Sequence, residues 1–355
     1  MSEVQNSTDS SEKTLKTLDF TDIYVDESGF MFMKGLNDPL YLPQANSEGL
    51  TGIPSEYMSE ASLLVKRALA QNEVEKRASF PLEYRGMSFR ITKINTISRR
   101  WITLRKLLDP VPRLQTFTGV PKQVIRSLAQ MGRKGNSGLI LFTGKTGSGK
   151  TTIACSLLQE YLSFFGDVGV TLERPAELKL DGPYGVNNKG WCFQTEVSSN
   201  GYSEAVENVM RYTPRFILFG EIRGYEEAKE ALMLSNTGHL VIATMHSPSP
   251  IDAINRLVDL ASEGKDKSQA AQAASRSLMA VFNQTMEVTP LGKVFNLTSL
   301  FFPQDDIRIR GMVAENATNQ LISDIQRQKI LIDNGGDPYL SPERQKRLRE
   351  QRNAK

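Results

Sequence analysis

Several kinds of residue are scarce in this chain, and each scarcity removes a class of function. Among 355 residues there are two cysteines, Cys155 and Cys192. They stand at no metal-ligand spacing and suit a reducing compartment better than a disulfide framework. No run of 18 apolar residues occurs, so the sequence predicts no membrane-spanning helix. The first residues, Met1 to Thr17, are polar and rich in Ser, Glu and Lys, without the apolar core of an export signal. They are predicted to form a disordered tail on a cytoplasmic protein, with any membrane association peripheral. Charge of one sign is missing too. Lys and Arg number 43 against 40 acids, a formal net charge of +3. The stretch Glu343 to Lys355 carries six basic and two acidic side chains, which leaves the remainder close to neutral. A dedicated, sequence-specific nucleic-acid binder needs a broad basic face, and none is evident. The basic stretch itself reads as a solvated run or as a contact for an acidic partner.

Against these absences stands one dense signal. Gly144-Lys145-Thr146-Gly147-Ser148-Gly149-Lys150-Thr151 has the spacing G-x-x-x-x-G-K-T. It follows the apolar run Leu139–Thr143 and precedes a helix-like stretch from Ile153 to Tyr161. That order of strand, glycine-rich loop and helix is the phosphate loop of a nucleoside triphosphatase. Its backbone N–H groups wrap phosphates, Lys150 reaches the outer ones, and the Thr151 hydroxyl holds magnesium. Gly144, Thr146, Gly147, Ser148, Gly149, Lys150, Thr151 and Thr152 are therefore the candidate residues for ATP, with Mg2+ on Thr151.

The rest of the chain fits two domains with tails. Residues 18–108 carry strands near Phe20–Val25 and Gly29–Gly35, a pattern break around Pro43 to Pro54, an amphipathic helix over Ser55–Arg77, then strands at Tyr84–Ile97 and Trp101–Leu107. This predicts a small α+β domain. Residues 109–120, with Pro110 and Pro112, read as a linker. From 121 to 316 the pattern alternates. A helix to Met131 is followed by strands at Leu139–Thr143, Val168–Leu172, Phe216–Phe219 and His239–Thr244. Helices are predicted at Ser203–Tyr212 and Glu226–Ser235. Short apolar strands between helices predict an α/β fold with a mostly parallel sheet covered on both faces. From Ile251 through Val258, Ala274, Met279 and Phe282 the pattern reads as helical. Residues 317–355 read as a helix and a loose basic tail.

A phosphate loop binds nucleotide, whereas hydrolysis also needs carboxylates and a group that senses the outer phosphate. Glu173 stands where the second strand ends, the edge at which ligands sit in such sheets, and it could polarise water. Glu177 is a weaker second candidate. Phe216-Ile217-Leu218-Phe219 runs into Gly220-Glu221, a buried strand delivering an acid toward magnesium. His239 and His246, the chain's two histidines, bracket a single strand. His246 at its end could donate a hydrogen bond to a γ-phosphate.

With these four segments in this order, the chain resembles the secretion ATPase superfamily, the hexameric motors of type II and type IV secretion and of type IV pili. There the segments are called the Walker A, Asp, Walker B and His boxes. The resemblance runs from about Phe20 to Gln304 and rests most on Phe219-Gly220-Glu221-Ile222-Arg223 and Thr237-Gly238-His239-Leu240. It implies a RecA-like ATPase domain behind a smaller PAS-like one, ATP and Mg2+ as ligands, and a homohexameric ring at the cytoplasmic face of an inner-membrane apparatus. By resemblance, Glu173 is the catalytic base, Glu221 acts through magnesium water, and His246 senses the γ-phosphate. Arg223 and His239 organise the site, while Arg90 and Arg105, in Phe89-Arg90-Ile91 and Leu104-Arg105-Lys106-Leu107, are finger-like cations. The chain departs from the usual pattern at Arg174, where an acid is customary, at Arg215 before the third box, and at Ser88, where an arginine is customary. Two cysteines also cannot build the four-cysteine zinc module of many type II secretion motors. These departures look most like the type IVB, Dot/Icm-like secretion and conjugative-transfer branch. A pilus-retraction motor, a nucleotide-dependent assembly switch with negligible turnover, and a translocase in DNA transfer are the alternatives.

Overall fold

The computed structural model describes residues 14–36, 50–197, 201–264, 266–289 and 292–353. It divides into two compact units, Met1–Asp109 and Pro110–Lys355. The break around Pro43 and residues 1–13 of the expected tail lie outside the described residues.

The N-terminal unit contains β1 (Asp22–Asp26), β2 (Met31–Lys34), β3 (Leu50–Thr51), α1 (Ser55–Val74), β4 (Ser79–Tyr84), β5 (Met87–Asn95) and β6 (Arg100–Lys106). The strands form one sheet in the order β3-β2-β1-β6-β5-β4. Helix α1 starts after Pro54 and buries Tyr57, Ala61, Leu64, Val65 and Ala68, one face at helical spacing. These residues share a core with Phe80, Leu82, Phe89, Ile91 and Leu104. Strand β4 escapes sequence reading because Pro81 interrupts it. The strand is a sheet edge, pairing with β5 alone, where a missing N–H is tolerated. The expected tail also ends sooner than residue 17. Leu15 is fully buried, and its N–H donates to Glu60 Oε2 at 2.7 Å.

The C-terminal unit runs α2 (Lys122–Met131), β7 (Gly138–Thr143), α3 (Lys150–Phe165), β8 (Asp167–Glu173), β9 (Gly182–Tyr184), β10 (Gly190–Glu196), α4 (Tyr202–Met210), β11 (Phe216–Phe219), α5 (Tyr225–Asn236), β12 (Leu240–Met245), α6 (Pro250–Ser262), α7 (Lys267–Ser277), β13 (Leu278–Thr289), β14 (Gly292–Phe301), α8 (Ile307–Ala314), α9 (Ile322–Asp333) and α10 (Pro342–Asn353). Its sheet has the order β14-β13-β7-β12-β11-β8-β10-β9. Neighbours from β13 through β10 are parallel, and β14 and β9 flank them antiparallel. Alternate side chains feed two cores. Leu139, Leu141, Ile217, Phe219, Val241 and Ala243 pack toward residues of α4 to α8. Ile140, Phe142, Phe216, Leu218 and Ile242 pack toward α2 and α3. A sheet covered on both faces gives the uninterrupted apolar strands seen in the sequence.

Two expectations need correction. The stretch through Met279 and Phe282 is strand β13, not helix. Its apolar run Leu278–Phe282 is buried on both faces, so it carries neither the helical nor the alternating period. The helix expected after Ala317 is present as α9, but the stretch that follows it is not a loose tail. Helix α9 places the Gln328 amide against β14, taking the Phe301 N–H at 2.7 Å and donating to its carbonyl at 2.9 Å. Beyond it, the Asp337 carboxylate accepts from Ser127 Oγ at 2.8 Å and Gln130 Nε2 at 2.7 Å.

Candidate active site

Parallel register places the candidate residues at one sheet edge. Met245 lies opposite Thr143, and Phe219 lies between Leu172 and Ala243. The residues that follow these strand ends are Gly144, Glu173, Glu221 and His246. All four strands point their carboxyl ends the same way, and ligands of open α/β sheets bind at that edge.

The loop after β7 has left-handed or extended backbone at Gly144, Gly147 and Gly149, with φ of +146°, +78° and +85°. Helix α3 begins directly at Lys150 and places Thr151 and Thr152, both half-buried, in its first turn. Thr146 is exposed, whereas Ser148 is buried. Lys150 is buried to 7 % exposure, and its Nζ donates to the Lys145 carbonyl at 3.0 Å. Burial pulls its pKa below the ordinary lysine value, and the Glu221 and Glu177 carboxylates partly oppose that. A helix N-terminus, loop N–H groups and a lysine concentrate positive potential where phosphates bind.

Glu173 ends β8 at 1 % exposure. Burial raises its carboxyl from 4.5 to about 7, against the opposing hydrogen bond from Gln194. Gln194 Nε2 donates to Oε1 at 2.9 Å and to the Leu178 carbonyl at 2.7 Å, while Oε2 has no partner among the described residues. A carboxyl tuned to neutrality with one oxygen uncommitted can accept a proton at physiological pH. Glu177 is exposed and within electrostatic reach of Lys150.

Glu221 holds the other two groups. Its Oε2 accepts from Arg223 Nε at 2.6 Å and Nη2 at 2.5 Å, and its Oε1 lies 3.0 Å from His246 Nε2. His246 keeps 41 % of its side chain exposed at the sheet edge. His239 does not join them, contrary to the expectation that it organises the site. It precedes β12, at the opposite end of that strand, and its Nδ1 lies 2.7 Å from the Pro214 carbonyl. Arg215 beside it is a packing residue. Its guanidinium stacks 4.7 Å over Phe216 and donates to the Gly132 carbonyl at 2.5 Å.

Arg90 and Arg105 belong to the N-terminal unit, directly opposite each other on β5 and β6. Arg105 Nε donates to the Asp22 carboxylate at 2.8 Å. Ser88, where an arginine is customary, is buried and donates to Glu83 Oε1 at 2.7 Å.

Sequence reading missed Gln194, Asn283 and Gln284. Asn283 Nδ2 donates to Thr143 Oγ1 at 3.1 Å and to the Ser247 carbonyl at 2.9 Å, tying the start of the phosphate loop to the segment after His246. The pair Asn283-Gln284, polar residues ending an apolar run, was the available signal. Gln194 lies on the β9–β10 hairpin, which has no clear pattern.

The donor set fits a magnesium-bound nucleoside triphosphate. Positive-φ glycines leave the loop free of side chains, a lysine and a helix N-terminus supply positive charge, a threonine follows the lysine, and uncommitted oxygens remain on Ser148 and Glu173. Fold and loop together define a RecA-like P-loop domain of the nucleoside-triphosphate-binding class. Residues 60–294 match the family described as type II/IV secretion system protein, and the chain belongs to that family of secretion and pilus motor ATPases. A 151-residue stretch is 35 % identical to the type IV pilus retraction ATPase PilT of Pseudomonas aeruginosa, covering 42 % of each chain. The match spans 42 % of the length of this relative, and 43 % and 47 % of two other curated relatives, type II secretion system proteins of Pseudomonas aeruginosa and Escherichia coli. The fold is shared with solved structures. A pilus retraction motor PilT with bound ADP has a TM-score of 0.67 at 24 % identity, covering 87 % of this chain and 86 % of that one. The Legionella pneumophila ATPase DotB has 0.63 at 21 %, covering 94 % and 92 %. No described helix is long and apolar enough to cross a membrane.

Proposed function

We propose that this protein is a ring-forming ATPase that hydrolyses ATP to power a type IVB-like secretion or conjugative-transfer apparatus from the cytoplasmic side of an inner membrane. The observation that carries hydrolysis is the Glu173 carboxyl, with Oε2 uncommitted, on the same sheet edge as the phosphate loop and the Glu221–His246 pair. Lys150 and the loop N–H groups hold the phosphates. Glu173, oriented by Gln194, accepts a proton from the attacking water. His246 exchanges its Nε2 contact with Glu221 for the outer phosphate, to which it then donates. Magnesium, held by Thr151 and through Glu221, would neutralise phosphate charge as the bond to the leaving diphosphate breaks.

Arg174 after the base, Pro214-Arg215 before β11 and the two-cysteine composition support the type IVB-like branch. The identity to a pilus retraction ATPase supports a pilus motor as the second reading. Steady-state phosphate release by the purified protein tests the enzyme. Lys150→Ala is expected to lose nucleotide binding and turnover, and Glu173→Gln to keep binding while turnover falls at least a hundredfold. Turnover by both variants near the unaltered rate would reject the assignments. Co-purification from the native cell then separates a secretion or conjugation apparatus from a pilus.

A further inference from the structure

Beside the phosphate loop, one residue past the Asn283–Thr143 pair of β13 and β7, lies a polar side chain with no role in the scheme above. Gln284 in β13 is 1 % exposed, and neither its amide nitrogen nor its amide oxygen has a hydrogen-bond partner among the described residues. Ser148 Oγ, within the loop, is likewise buried and without one. Gln284 touches the loop at both ends. A Cβ built on Gly144 would stand 2.2 Å from the Gln284 carbonyl oxygen and 2.7 Å from Ser148 Oγ. One built on Gly149 would stand 2.9 Å from Gln284 Nε2 and 3.1 Å from the Phe295 ring. Glycine at these two positions thus lets the loop rest directly on Gln284.

Burying an amide without partners disfavours an arrangement, so such a group in a folded protein asks for an explanation. The loop has a matching imbalance. Lys150 Nζ now bonds the Lys145 carbonyl, which also accepts from the Ser148 N–H at 3.2 Å, and drawing the ammonium onto a phosphate takes away one of those two bonds. The uncommitted buried groups beside the loop at that point are Gln284 Nε2, Gln284 Oε1 and Ser148 Oγ. We propose that Gln284 is a positioning residue that gains hydrogen bonds to the phosphate loop only when nucleotide is bound, so that the β13–β14 hairpin senses occupancy. This inference rests on the nucleotide-binding reading of the loop. Strand β14 gives it an outlet. Phe295 packs on Phe117 with ring centres 5.4 Å apart, and its N–H donates to the Thr118 carbonyl at 3.3 Å. A Cβ on Gly119 would stand 1.8 Å from the Phe295 carbonyl oxygen. Any shift of the hairpin is therefore felt by the segment Phe117–Gly119, at the start of the C-terminal unit.

The test uses the full chain with Gln284→Leu, which removes the amide at nearly constant volume, and Gln284→Met, which keeps the unbranched shape. Two quantities are measured: the melting temperature without nucleotide, and the affinity for MgADP by titration with a fluorescent ADP analogue. The expected result is an unchanged or higher melting temperature, MgADP binding weakened about tenfold, and a smaller rise in melting temperature on adding MgADP. MgADP affinity within twofold of the unaltered protein would overturn the proposal. So would a parallel fall in nucleotide-free stability, or failure of both variants to fold, since either marks Gln284 as a packing residue of the free protein. If the unaltered protein and Lys150→Ala bind MgADP equally poorly, the nucleotide-binding reading itself fails, which is a separate outcome.

Discussion

Lys150 and Glu173 are both buried, and burial pushes each toward its neutral form. Neighbours decide how far. Glu221 and Glu177 help keep Lys150 charged, whereas Glu173 receives one amide hydrogen bond from Gln194 and rises to about 7. This has two consequences with pH. As a base, Glu173 must lose its proton, so turnover at saturating ATP is expected to rise toward a plateau above about pH 7, with the limb absent in Glu173→Gln. For stability the sign is opposite. Between 4.5 and about 7 the folded protein holds a proton that the unfolded chain has released, so stability falls as pH rises through that window. The loss is on the order of 3 kcal/mol. Urea unfolding at pH 5 and pH 8 should show Glu173→Gln gaining stability over the unaltered chain at the higher pH. A constant difference would reject the raised value. The residues that titrate or bind phosphate stood out in the sequence because their types are rare or their spacing is specific. Gln194 and Asn283, which hold them in place, did not. A neutral amide acquires its role only from what the fold sets beside it.

At the scale of elements, local pattern carried most of the C-terminal unit. Strands β7, β8, β11 and β12 are short apolar runs bounded by turn residues, and the helices between them have one buried face. The failures have separate causes. Strand β13 pairs in parallel with β7, far earlier in the chain, β9 is only three residues long, and β4 hides its alternation behind Pro81. The docking of helix α9 depends on one amide that pairs with both backbone groups of Phe301. Gln328→Ala is expected to lower stability by about 2–3 kcal/mol, by leaving a buried N–H and carbonyl unpaired. The midpoint of denaturant unfolding reads this directly, and a change within experimental scatter would show that α9 is not clamped there.

At the scale of the whole molecule, the chain presents a nucleotide-binding unit and a separate α+β unit carrying Arg90 and Arg105. By the family resemblance those arginines are expected to act as finger-like cations on the phosphates, with nucleotide held mainly by the C-terminal unit. Arg90→Ala is therefore expected to leave MgADP affinity of the full chain unchanged and to lower phosphate release tenfold or more. Equal rates would remove Arg90 from the mechanism. Removing Arg105 also strips a partner from the buried Asp22 carboxylate, so Arg105→Ala is expected to lower stability as well.

The sequence by itself determined that a phosphate loop lies between a buried strand and a helix, because that signal is a contiguous octet whose chemistry depends on local backbone freedom. It also determined which strand ends carry an acid or an imidazole. Only the tertiary structure decided which of these share an edge. Parallel pairing in register brought Gly144, Glu173, Glu221 and His246 together and put His239 at the far end of its strand. Sheet order and register are long-range pairings, set by how two hydrophobic layers close on both faces, and no local window of residues contains them.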